Sequence, residues 1–124
     1  MTTSATTRQT IERYFEALSA RGAWERFMAD DVRFVSHVMP KKEALGRDAF
    51  VASTRGFYSM IRDLEIRQLI VDGPRACALT SYRLQPPSGA AFTCEVAEAF
   101  DVGEAGIETF EIYFDSAPFA RPPA

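Results

Sequence analysis

Residues 107–115 read I-E-T-F-E-I-Y-F-D, and their alternation puts two carboxylates and a phenol on one side of a strand. Successive strand side chains point to opposite faces. Phe110, Ile112 and Phe114 therefore share one face, and Glu111, Tyr113 and Asp115 share the other. Carboxylates and phenols that converge in a dry pocket can do general acid–base work: one group moves a proton while another steadies an oxygen gaining charge. Glu98 in V-A-E-A-F is a further candidate, because a carboxylate walled in by Phe92, Phe100 and Tyr82 has its pKa raised by desolvation. His37 is the single histidine, a residue type that can serve as acid or base. Each candidate has a plainer reading. Glu111, Tyr113 and Asp115 can form a solvated face, with Asp115 capping the tail. Glu98 can pair with an arginine or lie exposed. Tyr14, Trp24 and Met28 can be core.

Other chemistries fit less well. Ser36 and His37 are neighbours on a strand and point to opposite faces, so a Ser/His/acid arrangement fails on geometry. His37 is expected to face away from the pocket side. No arginine stands two residues from an inward carboxylate on the late strands, which weakens an Asp-Arg-Asp epoxide-opening site. No glycine-rich phosphate loop and no Cys/His cluster occurs, so neither a cofactor nor a metal is expected. Cys77 and Cys94 read as small buried hydrophobes in a cytoplasmic protein.

The chain that must position these groups has 124 residues, which suggests one domain spanning 1–124. Ten Phe, four Tyr and one Trp suffice for a core without staples. A net charge of −3 without a basic stripe argues against nucleic acid as a partner. No apolar run is long enough to span a bilayer, and MTTSATTRQT lacks the apolar centre of a signal peptide.

Helix signals fill the first half. Thr6 and Gln9 have capping-box spacing, and Ile11, Tyr14, Phe15 and Leu18 form an apolar stripe that Gly22 ends. Trp24, Phe27 and Met28 predict a short second helix, and 32–38 a strand after Asp30 and Asp31. Residues 39–46 read as a loop. A third helix starts near Asp48, with Phe50, Thr54, Phe57 and Ile61 on one face. Strands then follow over 64–71, 76–84, 91–102 and 107–115, divided by Gly/Pro turns that make antiparallel hairpins. Helices before strands mean α+β, with the helices on one face of the sheet. The proline-rich tail SAPFARPPA is expected to be ordered only in part.

Several strings, in order, resemble the NTF2-like (SnoaL-like) superfamily. They are I-E-R-Y-F-E-A-L (11–18), F-M-A-D-D-V-R-F-V (27–35), Gly46-Arg47-Asp48-Ala49-Phe50 and G-I-E-T-F-E-I-Y-F-D (106–115). The resemblance implies a cone: three N-terminal helices packed on a curved, mainly antiparallel sheet, with a pocket on the concave face and a homodimer through the convex face. It implies that Glu111, Tyr113 and Asp115 face the pocket. Ketosteroid isomerases have this fold, and matching their pattern puts the oxyanion-holding tyrosine at Tyr14, the neutral acid at Glu98 and the base at Ser36. A serine hydroxyl cannot act as a carboxylate base near neutral pH, so that scheme is incomplete here. The implied function is binding of a small organic molecule. If the protein is catalytic, the expected reaction is cofactor-free isomerisation, dehydration or cyclisation. Tyr14, Glu98 and Asp115 would then be catalytic, and Trp24, Ser36, Tyr82, Glu111 and Tyr113 would contact substrate. The alternative is a non-catalytic ligand-binding or dimerisation domain. Isomerases, dehydratases, cyclases and non-catalytic subunits all share the fold, so fold alone does not choose.

Overall fold

Thr3 begins the first helix by accepting a hydrogen bond from the Thr6 N–H on its side-chain oxygen at 3.1 Å. The computed structural model describes residues 2–38 and 40–120. Helix α1 runs Ser4–Ser19, so its cap lies three residues ahead of the expected Thr6. Ile11, Tyr14, Phe15 and Leu18 are its buried stripe, as the spacing predicts. Its end is a Schellman closure: Gly22 N–H reaches Ala17 O and Arg21 N–H reaches Leu18 O. Arg21, not glycine, takes the left-handed conformation there, at φ +57°. The expected second helix is one 3-10 turn, Trp24–Phe27.

Strand β1 (Met28–Ser36) starts earlier than the two aspartates suggest, and β2 (Lys42–Leu45) lies within the segment read as a loop. Helix α2 is Arg47–Ser59. Strands β3 (Ile61–Asp72), β4 (Arg75–Leu84), β5 (Phe92–Gly103) and β6 (Gly106–Phe114) follow, then the short α3 (Ala117–Ala120). Positions 121–124, the last four residues of the proline-rich tail, lie outside the described residues. The order is β2-β1-β6-β5-β4-β3. Only β1 and β6 are parallel; the other neighbours are antiparallel. No described helix is long and apolar enough to cross a membrane.

Both helices lie on one face, α1 against β3 and β4 and α2 against β1 and β2. The registers carry two inner rows across the sheet. One is Phe34–Phe110–Phe100–Ala76 and the other Ser36–Ile112–Glu98–Ala78. The first row is an aromatic core into which Tyr14, Phe15 and Phe50 pack edge-on or tilted. Two of the strings that mark the fold meet directly: Arg47 pairs with Asp30 at 2.6 Å and donates to the Met28 carbonyl. Cys94 is buried, which pushes its thiol up to about 12, while Cys77 is half-exposed on the outer face.

Two glycines show opposite constraints. Gly106 has φ +117°, and a Cβ there would meet the Phe27 carbonyl oxygen at 2.5 Å. Gly106→Ala is expected to destabilise by about 3 kcal/mol, from backbone strain plus a clash against backbone. Gly56 lies inside α2 with open space around the missing Cβ. Gly56→Ala is expected to stabilise by about 0.5–1 kcal/mol through helix propensity. Urea titrations of both variants test the pair, and a neutral Gly106→Ala would contradict the close approach of β6 to the turn.

Candidate functional site

Strand β5 delivers Glu98 to the middle of the inner face, where it is fully buried. Among the described residues no arginine pairs with it. The Tyr82 hydroxyl donates to its Oε1 and Oε2 at 2.9 and 3.0 Å, and the Thr80 hydroxyl donates to Oε2 at 2.9 Å. Tyr82 pairs in register with Cys94, four residues along β5 from Glu98, so two long side chains lean along the strands to close the gap. Burial raises the Glu98 pKa from 4.5 to about 7, against the lowering effect of the two hydroxyls.

Hydroxyls suit this acid better than a cation would. Each can donate or accept. With Glu98 ionised, both hydroxyls donate to it. With Glu98 protonated, its O–H can donate to Thr80 Oγ1, whose own proton turns toward the Val96 carbonyl 3.4 Å away. Either protonation state is thus provided for.

Beside this acid lies a second buried pair. Tyr14 and Tyr58 share a hydroxyl–hydroxyl hydrogen bond of 2.5 Å. Burial raises both phenol pKa values, and the charge of Glu98 raises them further. Both therefore remain neutral and can hold an oxygen without giving up a proton. Tyr14 is fully buried, whereas Tyr58 reaches from it to the wall of a cavity.

That cavity, of about 370 Å³, opens at one end of the sheet between α2, the ends of β1 and β6, the start of β2, and α3. Phe34, Val38, Phe57, Met60, Ile112, Phe114 and Phe119 supply its apolar wall. Ser36, Lys42, Ser53, Thr54, Tyr58 and Ser116 supply its polar points. Among the described residues no carboxylate and no imidazole lines it. A cavity of similar volume on the outer face, bounded by Ile70, Cys77, Ala99 and Glu111, is shallow and more open.

The structure separates the predicted site residues into three groups. Tyr14, Tyr82 and Glu98 come together, but in the interior and off the cavity wall. Ser36 lies on that wall. Trp24 packs on Tyr14, Phe50 and Tyr58 behind it, as core rather than as a ligand platform. Glu111, Tyr113 and Asp115 are on the opposite face from the one the resemblance implies. Phe110 and Ile112 are buried against the helices, while Tyr113 is 48% exposed. Glu111 bonds His37 Nε2 at 2.7 Å, and His37 stacks on Tyr113 with ring centroids 4.4 Å apart. Asp115 caps α3 by accepting from the Ala117 N–H at 3.0 Å. The physical reason is burial: three large apolar side chains take the dry face. His37 faces away from the helices, as its alternation with Ser36 predicts.

The sequence pattern does not single out Tyr58, Thr80 or Lys42. Tyr58 stands four residues after Thr54, so its helical phase was readable, though Phe57 beside it draws attention first. Thr80 becomes meaningful only with the register of β4 on β5. Among the described residues no group of three or more His, Cys, Asp or Glu side chains could hold a metal.

The family model for the SnoaL-like domain matches residues 11–107, from α1 through the start of β6. The chain belongs to the SnoaL-like family. Solved structures agree on the fold. An NTF2-like protein of unknown function from Burkholderia pseudomallei matches with TM-score 0.79 and 23% identity, covering 91% of this chain and 93% of that one. A proposed SnoaL-like polyketide cyclase from Jannaschia sp. CCS1 matches with TM-score 0.79 and 14% identity, covering 96% and 95%. A proposed ketosteroid isomerase from Kribbella flavida matches with TM-score 0.74 and 19% identity, covering 98% and 84%. No curated protein matches the chain. The α+β architecture of this SnoaL-like chain is thus that of NTF2-like cones, with the middle N-terminal helix reduced to one turn.

Glu98 should leave a signature in stability. Its folded pKa of about 7 lies above the ordinary 4.5, so the folded state binds the proton more tightly. The contribution is fully present below pH 4.5 and is lost as pH rises through about 7. The loss is on the order of 3 kcal/mol. Glu98→Gln cannot ionise, so its stability should match wild type near pH 4.5 and exceed it above 7. Denaturant midpoints across this range check it; parallel curves for the two proteins would refute the buried-acid assignment.

Proposed function

We propose that this SnoaL-like protein binds a small, mainly apolar organic molecule in the cavity at the open end of the sheet, and that binding, not acid–base turnover, is its resting capacity. The observation that carries this reading is the composition of the wall: apolar rings and aliphatics, four hydroxyls, one phenol and one lysine, with no carboxylate among the described residues to move a proton. Such a cavity matches ligand sites in size and in its few placed polar groups. The Tyr58 phenol, backed by Tyr14, would donate to an oxygen on the ligand.

A second reading is favoured by one specific feature, the buried Glu98 with its pKa near neutrality. That is the property of a general acid or base, and such perturbed groups cluster at functional sites. On this reading the protein catalyses isomerisation, dehydration or cyclisation, with Glu98 moving the proton through Tyr82 and the Tyr14–Tyr58 pair holding the oxygen. It needs the Phe57–Tyr58 wall to open, because Glu98 does not reach the cavity. Asp115 and Glu111 have no part in it from the outer face.

Homodimerisation through the outer face forms part of the same proposal. Ile70 is 51% exposed there and Tyr113 48%, beside Leu79, Ala97 and Ala99. Sedimentation at micromolar concentration should give a dimer that a charge at Ile70 disrupts.

Thermal-shift and calorimetric screening with aromatic polyketide-like, steroid-like and terpene-like compounds tests the binding proposal. Ser36→Leu, which fills the cavity from β1, should weaken any hit by about tenfold or more, from overpacking of the site. Glu98→Gln should leave affinity within about twofold, because Glu98 lies behind the wall. Turnover that falls by about 100-fold in Glu98→Gln would establish the catalytic reading instead. Silence across the panel would overturn both.

A further inference from the structure

We infer that the ligand of the mouth cavity is an organic anion: a compact, mostly apolar ring system carrying one carboxylate or comparable acid group, which Lys42 receives. The inference rests on the reading of that cavity as the binding site and adds the charge of what enters it.

Strand register supplies the first reason. Lys42 pairs with Ser36, and Ala44 with Phe34, so residues 42 and 44 of β2 share the side of the sheet that faces the cavity. Glu43 pairs with Val35 and turns the other way, where Arg33 takes its carboxylate at 3.3 Å. Alternation therefore divides adjacent opposite charges between two faces. The cation lies at the cavity, and its neighbouring anion is engaged elsewhere.

Charge balance supplies the second. Among the described residues Lys42 is the one charged side chain on the wall, and no ion pair uses it. Arg47, the next cation along the chain, is committed to Asp30. Asp115 lies between the wall residues Phe114 and Ser116, and its carboxylate accepts from the Ala117 N–H. A lysine without a carboxylate on an apolar wall has its charge available to a guest. Ser36, Ser53 and Ser116 offer further hydrogen bonds around it.

The two ends of the site then ask for different groups. Lys42 at the mouth selects negative charge. Tyr58, whose hydroxyl reaches inward to Tyr14, selects a neutral acceptor such as a carbonyl or hydroxyl oxygen. Between them lie Phe34, Phe57, Ile112 and Phe114, which suit a flat ring system. A volume of about 370 Å³ accommodates a bicyclic acid.

The test pairs 2-naphthoate with 2-naphthamide, which share shape and differ in charge, and measures both by calorimetry or ligand-observed NMR. Wild type should bind the acid about fivefold tighter than the amide at low salt, and less so as ionic strength rises. Lys42→Gln should remove that difference while leaving the amide unchanged, and Lys42→Arg should restore it. Lys42 is exposed, so the variants are expected to fold as wild type does. Equal binding of acid and amide, insensitive to Lys42→Gln and to salt, overturns the anion inference and leaves the cavity reading standing. Failure of both compounds to bind, together with silence across the broader ligand panel, overturns the cavity reading and the inference with it.

Discussion

The choice of face on β6 governs nearly everything else in this structure. Turning Phe110, Ile112 and Phe114 inward removes three large apolar side chains from water, worth roughly 2 kcal/mol each. Turning the other face inward would leave those rings wet and carry Glu111 and Asp115 into a dry interior, at several kcal/mol for each unpaired carboxylate. Both terms favour the same answer. Because strand period is two, a single choice also places the neighbours: β6 sits between β1 and β5, so Phe34 and Phe100 follow Phe110 onto the inner row. The aromatic layer between α1, α2 and the sheet results from that one alternation.

Glu98 is the exception that the rule permits. It shares the inner row with Ile112 and Ser36, and its burial is tolerated because hydroxyl groups from β4 meet both of its oxygens. An arginine would have held it permanently charged. Tyr82 and Thr80 leave it free to gain or lose a proton near neutrality. The acid is therefore poised electrostatically but sealed sterically, and those two properties answer different questions. Poise says that proton transfer is chemically within reach. The seal says that no ligand touches the acid while Tyr58, Phe57 and Tyr82 hold their places.

Much of this was legible in the residues. The α1 stripe, the four late strands and their Gly/Pro turns follow from periodicity that burial enforces, and they appear where the spacing predicts, except that β3 begins three residues early at Ile61, which the spacing assigns to the helix. Glu98 was legible as an apolar-context carboxylate, because a charge among Val96 and Phe100 at strand spacing is too costly to be accidental. The partners of Glu98 were not, since Thr80 and Tyr82 become its donors only through cross-strand register, which lies outside any local window. The face of Glu111, Tyr113 and Asp115 was open on alternation alone, which gives two sets without saying which is inside. Resemblance to cones with polar interiors pointed one way and apolar burial the other; burial prevailed. Strand β2 was hidden by the lysines and proline of 39–46, since an edge strand needs no apolar pattern to pair on one side.

The same accounting explains why the candidate site sits at the mouth and not at the bottom of the sheet. A deep polar pocket needs space, and here Trp24, Phe34, Phe50, Phe100 and Phe110 occupy it, edge against face. The position that matches a catalytic base in ketosteroid isomerases is Ser36, which contributes a hydroxyl to the wall and no proton affinity. What remains open to a guest is the rim, where α2, β2 and α3 leave a gap that the core aromatics do not fill. Tyr58 joins the two regions: its ring borders the gap and its hydroxyl bonds to Tyr14 in the interior. A ligand oxygen that accepts a hydrogen bond from Tyr58 would therefore leave the Tyr14 hydroxyl as the donor within the buried pair, while burial and the charge of Glu98 keep both phenols protonated.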